Sequence, residues 1–146
     1  MEWAEAAGVR PAGSAAELLG LRLDVLAPCA VGGLVDDALA ASLDCKVVCG
    51  AANNQLASRA VAATLARRRI LYVPDFMANS GGLVHVAAEW DRLEGRVSPQ
   101  RLDRVAERVE HILVLARAEG VTPLDAAECF ALERIAAARP RAHAAA

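Results

Sequence analysis

Three side-chain amides stand in a row at Asn53, Asn54 and Gln55, directly after the apolar run CKVVCG at 45–50. A fourth, Asn79, opens the string Asn79-Ser80-Gly81-Gly82. A carboxamide offers donors and acceptors without charge. Such groups hold a ligand's carboxamide or carboxylate; they do not move protons. A third stretch, APCAVGG at 27–33, sets small residues around Cys29. The same residue types also make ordinary turns. Three such loops, each after an apolar run, favour a binding site.

The elements that must position these loops follow from the pattern. DVLAP at 24–28, CKVVCG at 45–50 and ILYVP at 70–74 are short apolar runs, two of them stopped by proline. VDDALAASL at 35–43 and LASRAVAATLARRR at 56–69 have helical periodicity. Strands alternating with helices at this spacing predict a parallel sheet with crossover helices. Runs with apolar residues on both faces predict strands covered on both sides. Val9-Arg10-Pro11 is a candidate short edge strand, where proline is tolerated. Residues 2–8 read as a helix end. Ser14 and Glu17 form a capping box ahead of a short helix at 15–20. Three helices are expected after Gly81, at 81–95, 98–120 and 122–140, the last with Thr122 as N-cap and Pro123 in its first turn. The fold class is therefore α/β: a partial Rossmann-like parallel sheet of three main strands plus the short edge strand, followed by about three C-terminal helices. In such a sheet ligands bind beyond the carboxyl ends of the strands. All three polar loops fall there.

Composition narrows the function. The chain has 146 residues, 55% hydrophobic and 23% charged, with a net charge of −2. That suits a globular domain and speaks against nucleic acid as a partner. No apolar run is long enough to span a bilayer. Met1 leads into the acidic EWAEAAG, so no leader is expected and a cytoplasmic setting follows. Cys29, Cys45, Cys49 and Cys129 form no CxxC pair, and the three histidines lack ligand spacing. Reduced, buried thiols are expected, and no metal. The Arg67-Arg68-Arg69 run reads as a solvated helix end, where cations suit the dipole.

DVLAPCAVGG, CKVVCGAANNQLA and ILYVPDFMANSGGLVHVAAE closely resemble the coenzyme domain of the Glu/Leu/Phe/Val dehydrogenases, most nearly the leucine, valine and phenylalanine enzymes. The resemblance runs from about Trp3 to at least Glu119. It implies NAD as cofactor and oxidative deamination of an L-amino acid to its 2-oxo acid and ammonia. By this resemblance Pro28, Cys29 and Ala30 line the nicotinamide riboside, and Asn79 holds the nicotinamide end. Asn53 supports the cofactor side of its loop, while Asn54 reaches the substrate carboxylate. Leu83 and Val86 face the substrate side chain, which implies a branched or otherwise hydrophobic amino acid. Ordinary core packing explains that apolar pair equally well. His85 and Ala88 stand where relatives often carry Asn and Asp.

Other family features have no counterpart here. The chain has no GxGxxG, no glycine-rich lysine motif and no matching catalytic Asp, and Lys46 is its only lysine. No catalytic residue is assigned. The expected organisation is an incomplete dinucleotide-binding domain over 1–96, lacking its first βαβ, and a helical segment over 97–146. An exposed strand edge at 24–28 is then expected, with a bare stripe of Leu102, Val105, Val109, Ile112 and Leu113. Such a chain is a truncated or split dehydrogenase, inactive alone and needing a second chain or copies of itself. The alternative is a non-catalytic interaction or scaffolding module.

Overall fold

The computed structural model describes residues 6–90 and 99–142. Three parallel strands lie in the order β1 (Leu23–Leu26), β2 (Cys45–Val48) and β3 (Leu71–Tyr72). Helix α1 (Ala15–Leu19) precedes β1. Helices α2 (Asp37–Ser42) and α3 (Val61–Arg67) make the two crossovers. After β3 come α4 (Asp75–Ala78), α5 (Gly81–Trp90), α6 (Pro99–Glu119) and α7 (Pro123–Ala142).

Local chemistry explains where these helices start. Ser14 Oγ accepts the Glu17 N–H at 3.1 Å, and Asp36 Oδ1 accepts the Leu39 N–H at 2.7 Å. Thr122 Oγ1 accepts the Asp125 N–H at 3.1 Å ahead of Pro123. Each satisfies a helix donor that has no partner within the helix. Helix α3 starts at Val61 rather than at residue 56. Residues up to Ala57 are still paired with the first crossover: Leu56 bridges Val35, and Ala57 N–H donates to Val35 O at 2.9 Å. The arginine run departs from expectation too. Arg68 is not simply solvated; its Nη1 donates to Ala40 O at 2.9 Å and Leu43 O at 2.6 Å, capping the carbonyls at the end of α2.

Residues 9–11 are irregular and exposed, not a strand. Pro11 has no N–H to give, and among the described residues β1 pairs only with β2.

Register divides the sheet into two unequal faces. Leu26, Val48 and Tyr72 align across the strands and are 4%, 0% and 4% exposed. They pack with Val35, Leu43 and Leu65 in the main core. The next row, Val25, Val47 and Leu71, points the other way. Val25 is 53% exposed and Leu71 37%. The expectation that every strand is covered on both faces therefore fails at β1. An apolar strand sequence reports burial somewhere, not the partner that supplies it.

A second core lies where α6 and α7 pack together. Ile112 and Ala116 meet Ala126 and Ala127, with Met77, Leu115 and Phe130 closing the cluster. The expected bare stripe on α6 is corrected accordingly: Ile112 is buried, and Val105, Val109 and Leu113 are half-buried. Leu102 lies outside the residues whose side chains are described. Among the described residues the large exposed apolar side chains of these helices are instead Val114, Leu132 and Ile135.

An edge strand with an apolar outer row is a template for pairing. The 146-residue chain is expected to self-associate in sedimentation velocity, and Val25→Lys to lower its weight-average mass. A clean monomer for the unmodified chain would contradict this.

Candidate functional site

The loops after β1 and β2 meet through backbone contacts that leave no room for side chains, and the loop after β3 joins them through side chains. A Cβ on Gly50 would lie 2.1 Å from Pro28 O, so only glycine lets the two loops touch. Next to this contact Ala52 N–H donates to Pro28 O at 2.9 Å. A Cβ on Gly32 would lie 2.6 Å from Asn53 O. Gly33 N–H donates to Asn54 O at 2.6 Å and Val35 N–H to Gln55 O at 3.0 Å. The first two loops are thus zipped together along their lengths.

The four amides have different tasks. Gln55 is fully buried, and its Nε2 donates to Gly50 O at 2.7 Å and Ala52 O at 2.9 Å. Its backbone N–H donates to Asp75 Oδ2 at 3.0 Å, tying the second loop to the third. Asn54 has φ 51°, a left-handed turn that asparagine tolerates better than most residues. Asn79 Nδ2 donates to Asn53 Oδ1 at 2.7 Å. That bond leaves Asn53 Nδ2 as a donor and Asn79 Oδ1 as an acceptor, an arrangement complementary to another carboxamide.

Asp75 anchors the third loop. It is 8% exposed; Oδ1 accepts the Phe76 N–H at 2.7 Å and Oδ2 accepts from Gln55. Its own N–H donates to the Tyr72 hydroxyl at 3.3 Å. Burial pushes the Tyr72 phenol up to about 12, against a smaller opposing effect of that bond. Asn79 caps α4, its N–H on Asp75 O at 2.8 Å, and α5 begins two residues later.

The residues singled out in the sequence fall as follows. Asn53 and Asn79 are in direct contact. Asn54, Cys29 and Ala30 are exposed on the adjoining loops, whereas Pro28 is buried and acts through its carbonyl. Leu83 and Val86 are 72% and 58% exposed, so neither packs in a core. Lys46 lies on β2, paired with Asp24 at 2.6 Å. Of the four thiols only Cys45 is buried; Cys49 is half-buried, and Cys29 and Cys129 are exposed, which corrects the expectation of four buried cysteines. Burial raises the Cys49 thiol, and the neighbouring Cys29 adds to the shift. Sequence reasoning did not assign roles to Gly50, Asp75 or Tyr72. The available signal was Asp75 directly after Pro74, an acid at a helix start that is buried rather than solvated.

The Glutamate/Leucine/Phenylalanine/Valine dehydrogenase family model matches residues 2–142. The chain belongs to this family. Valine dehydrogenase of Streptomyces coelicolor is 42% identical over 119 residues, covering 82% of the chain and 33% of that relative. Leucine dehydrogenase of Thermoactinomyces intermedius is 31% identical over 119 residues, covering 82% and 32%. The structure of L-tryptophan dehydrogenase from Nostoc punctiforme superimposes with a TM-score of 0.79 at 31% identity, over 95% of this chain and 42% of that one. The hetero-hexameric glutamate dehydrogenase of Thermus thermophilus, in a Leu-bound form, gives 0.71 at 30% identity, over 96% and 36%. The chain thus spans about a third of the length of the curated relatives it matches, and its three strands resemble part of the family's NAD-binding fold. Among the described residues no helix is long and apolar enough to cross a membrane.

Two measurements test this dehydrogenase-family loop cluster. Gln55→Leu removes the donor to Gly50 O and Ala52 O and is expected to cost about 1–3 kcal/mol in urea unfolding. Gly50→Ala should cost at least as much, because its Cβ meets backbone. Alkaline titration tests Tyr72. Below the unfolded value of about 10 both states keep the proton and the buried phenol stabilises fully. Between about 10 and about 12 the unfolded chain ionises first, so stability falls as pH rises. Tyr72→Phe should flatten that decline; an unchanged slope would show that Tyr72 is not its source.

Proposed function

We propose that this chain supplies the nicotinamide-facing and carboxylate-facing half of an NAD-dependent dehydrogenase of L-amino acids. The substrate is a hydrophobic or branched-chain amino acid, converted to its 2-oxo acid with release of ammonia. The observation that carries this reading is the Asn53–Asn79 pair at 2.7 Å, which presents one donor and one acceptor side by side at the strand ends. A nicotinamide carboxamide needs that complement. Gly32 and Gly50 let the loops that carry Pro28 and Asn53 lie backbone to backbone. The residues present therefore fit the cofactor.

In this reading Asn79, with Asn53 behind it, orients the carboxamide. Pro28, Cys29 and Ala30 bound the riboside, with Pro28 acting through loop shape. Asn54 donates to the substrate carboxylate from its left-handed turn. Leu83 and Val86, one helical turn apart on α5, present apolar surface to the substrate side chain. NAD, when bound, accepts the hydride from the substrate α-carbon. Among the residues assigned here the side chains are amides, a thiol and hydrocarbon, so the proton-transfer groups come from outside residues 1–146. The stretch 1–96 serves as part of a dinucleotide-binding domain and 97–146 as a helical segment. The working enzyme is cytoplasmic and completes the site with further chain, a second chain or copies of itself. Several of the relatives are named for hydrophobic amino acids, which supports the substrate class.

A chimera tests the reading. Residues 2–142 replace the matching third of the Streptomyces coelicolor valine dehydrogenase, and NADH formation is followed with L-valine and L-leucine. The chimera is expected to turn over, and the 146-residue chain alone is not. In the chimera Asn79→Ala should raise KM for NAD about tenfold, and Asn54→Ala should raise KM for the amino acid by a similar factor, each the loss of roughly one hydrogen bond. A folded but inactive chimera would refute the assignment; turnover by the isolated chain would refute the half-site.

A further inference from the structure

A second concave surface lies between α4, α6 and α7 and takes no part in the amide cluster. Its volume is about 310 Å³. Phe76 and Met77 of α4, Val105 of α6 and Phe130 of α7 supply apolar walls. Arg108 and Arg134 reach it from two different helices. Arg134 Cζ lies 5.7 Å from the Phe130 ring centroid, and His111 meets the same ring edge-on at 5.7 Å. The ring is therefore held by two neighbours, and the Arg134 guanidinium is placed at the cavity by its stacking.

The charge is uncompensated. Among the described residues neither arginine is in an ion pair, and none that lines the cavity is acidic. Arg59 shows the contrast, held by Glu128 at 2.8 Å and also paired with Asp125. Two free guanidiniums over aromatic walls complement an anion with an apolar body, since guanidinium matches carboxylate in a planar fork. The same two cations oppose an ammonium, so a zwitterionic amino acid fits worse than the corresponding acid without an amine. The volume sets the size at a small ring or branched chain.

We propose that the cleft between α4, α6 and α7 binds a small monocarboxylate with an aromatic or branched apolar body and no amino group. This does not rest on the dehydrogenase reading. The site uses none of the four amides, although Ser80 of the third loop lines it and α4, one of its walls, ends on Asn79.

The test is calorimetric titration of the 146-residue chain with hydrocinnamate, its uncharged amide and L-phenylalanine. Hydrocinnamate should bind at least about tenfold tighter than either of the others. Arg108→Gln with Arg134→Gln should weaken hydrocinnamate by about tenfold or more and leave the amide unchanged. Both arginines are exposed, so their replacement spares the fold. Asn54→Ala, at the amide assigned to a carboxylate and outside the cleft lining, should leave hydrocinnamate affinity unchanged. Equal affinity for the three probes, no saturable binding, or indifference to the double substitution would each overturn the proposal. Loss of binding on Asn54→Ala would also overturn it, by moving the anion to the amide loops.

Discussion

The buried side chain of Gln55 is the constraint on which the strand-end cluster depends. A primary amide taken out of water must find partners, because each unpaired polar group costs free energy comparable to a lost hydrogen bond. Gln55 finds two of them for its Nε2 in its own loop, at Gly50 O and Ala52 O, while its buried Oε1 accepts from no donor among the described residues. Its backbone N–H finds the Asp75 carboxylate in the next loop. Those bonds set the curve of residues 50–55, and that curve presents Asn53 to Asn79 and holds Asn54 in a left-handed turn. Gly50 completes the arrangement by letting the Pro28 backbone lie against it. The exposed amides that can bind a ligand are thus positioned by one that cannot.

The rest of the fold distributes its apolar surface unevenly around this cluster. The Leu26–Val48–Tyr72 row is closed by the crossovers α2 and α3, and Arg68 fastens the end of α2 to the end of α3. The Val25–Val47–Leu71 row has no such cover at β1. The α6–α7 pair carries its own small core and meets the sheet side through α4 and β3. On the proposed reading this open apolar surface meets further protein, since the relatives are about two and a half times the length of the chain.

Much of this was legible in the chain itself. The caps at Ser14 and Thr122 are short-range chemistry, readable because donor and acceptor lie three residues apart. The three strands follow from continuous apolar runs stopped by Pro28 and Pro74 or by turn residues. What failed was long-range. Arg68 looks like a solvated cation until the carbonyls of α2 are brought to it, and residues 56–60 look helical until Val35 pairs with Leu56. The α6 stripe looks bare until α7 is laid over it.

The sequence alone determined the family, the order of the three main strands and their crossover helices, and the presence of an amide-rich cluster at three successive strand ends, because motifs and periodicity are properties of neighbours in the chain. It could not distribute tasks among Asn53, Asn54 and Gln55. Three adjacent amides read alike until packing decides which is buried, which turns left-handed and which meets Asn79. Only the tertiary structure decided that, since the partners Asp75 and Asn79 lie 20 and 26 residues from Gln55 and Asn53 and are brought near by the parallel pairing of β2 with β3.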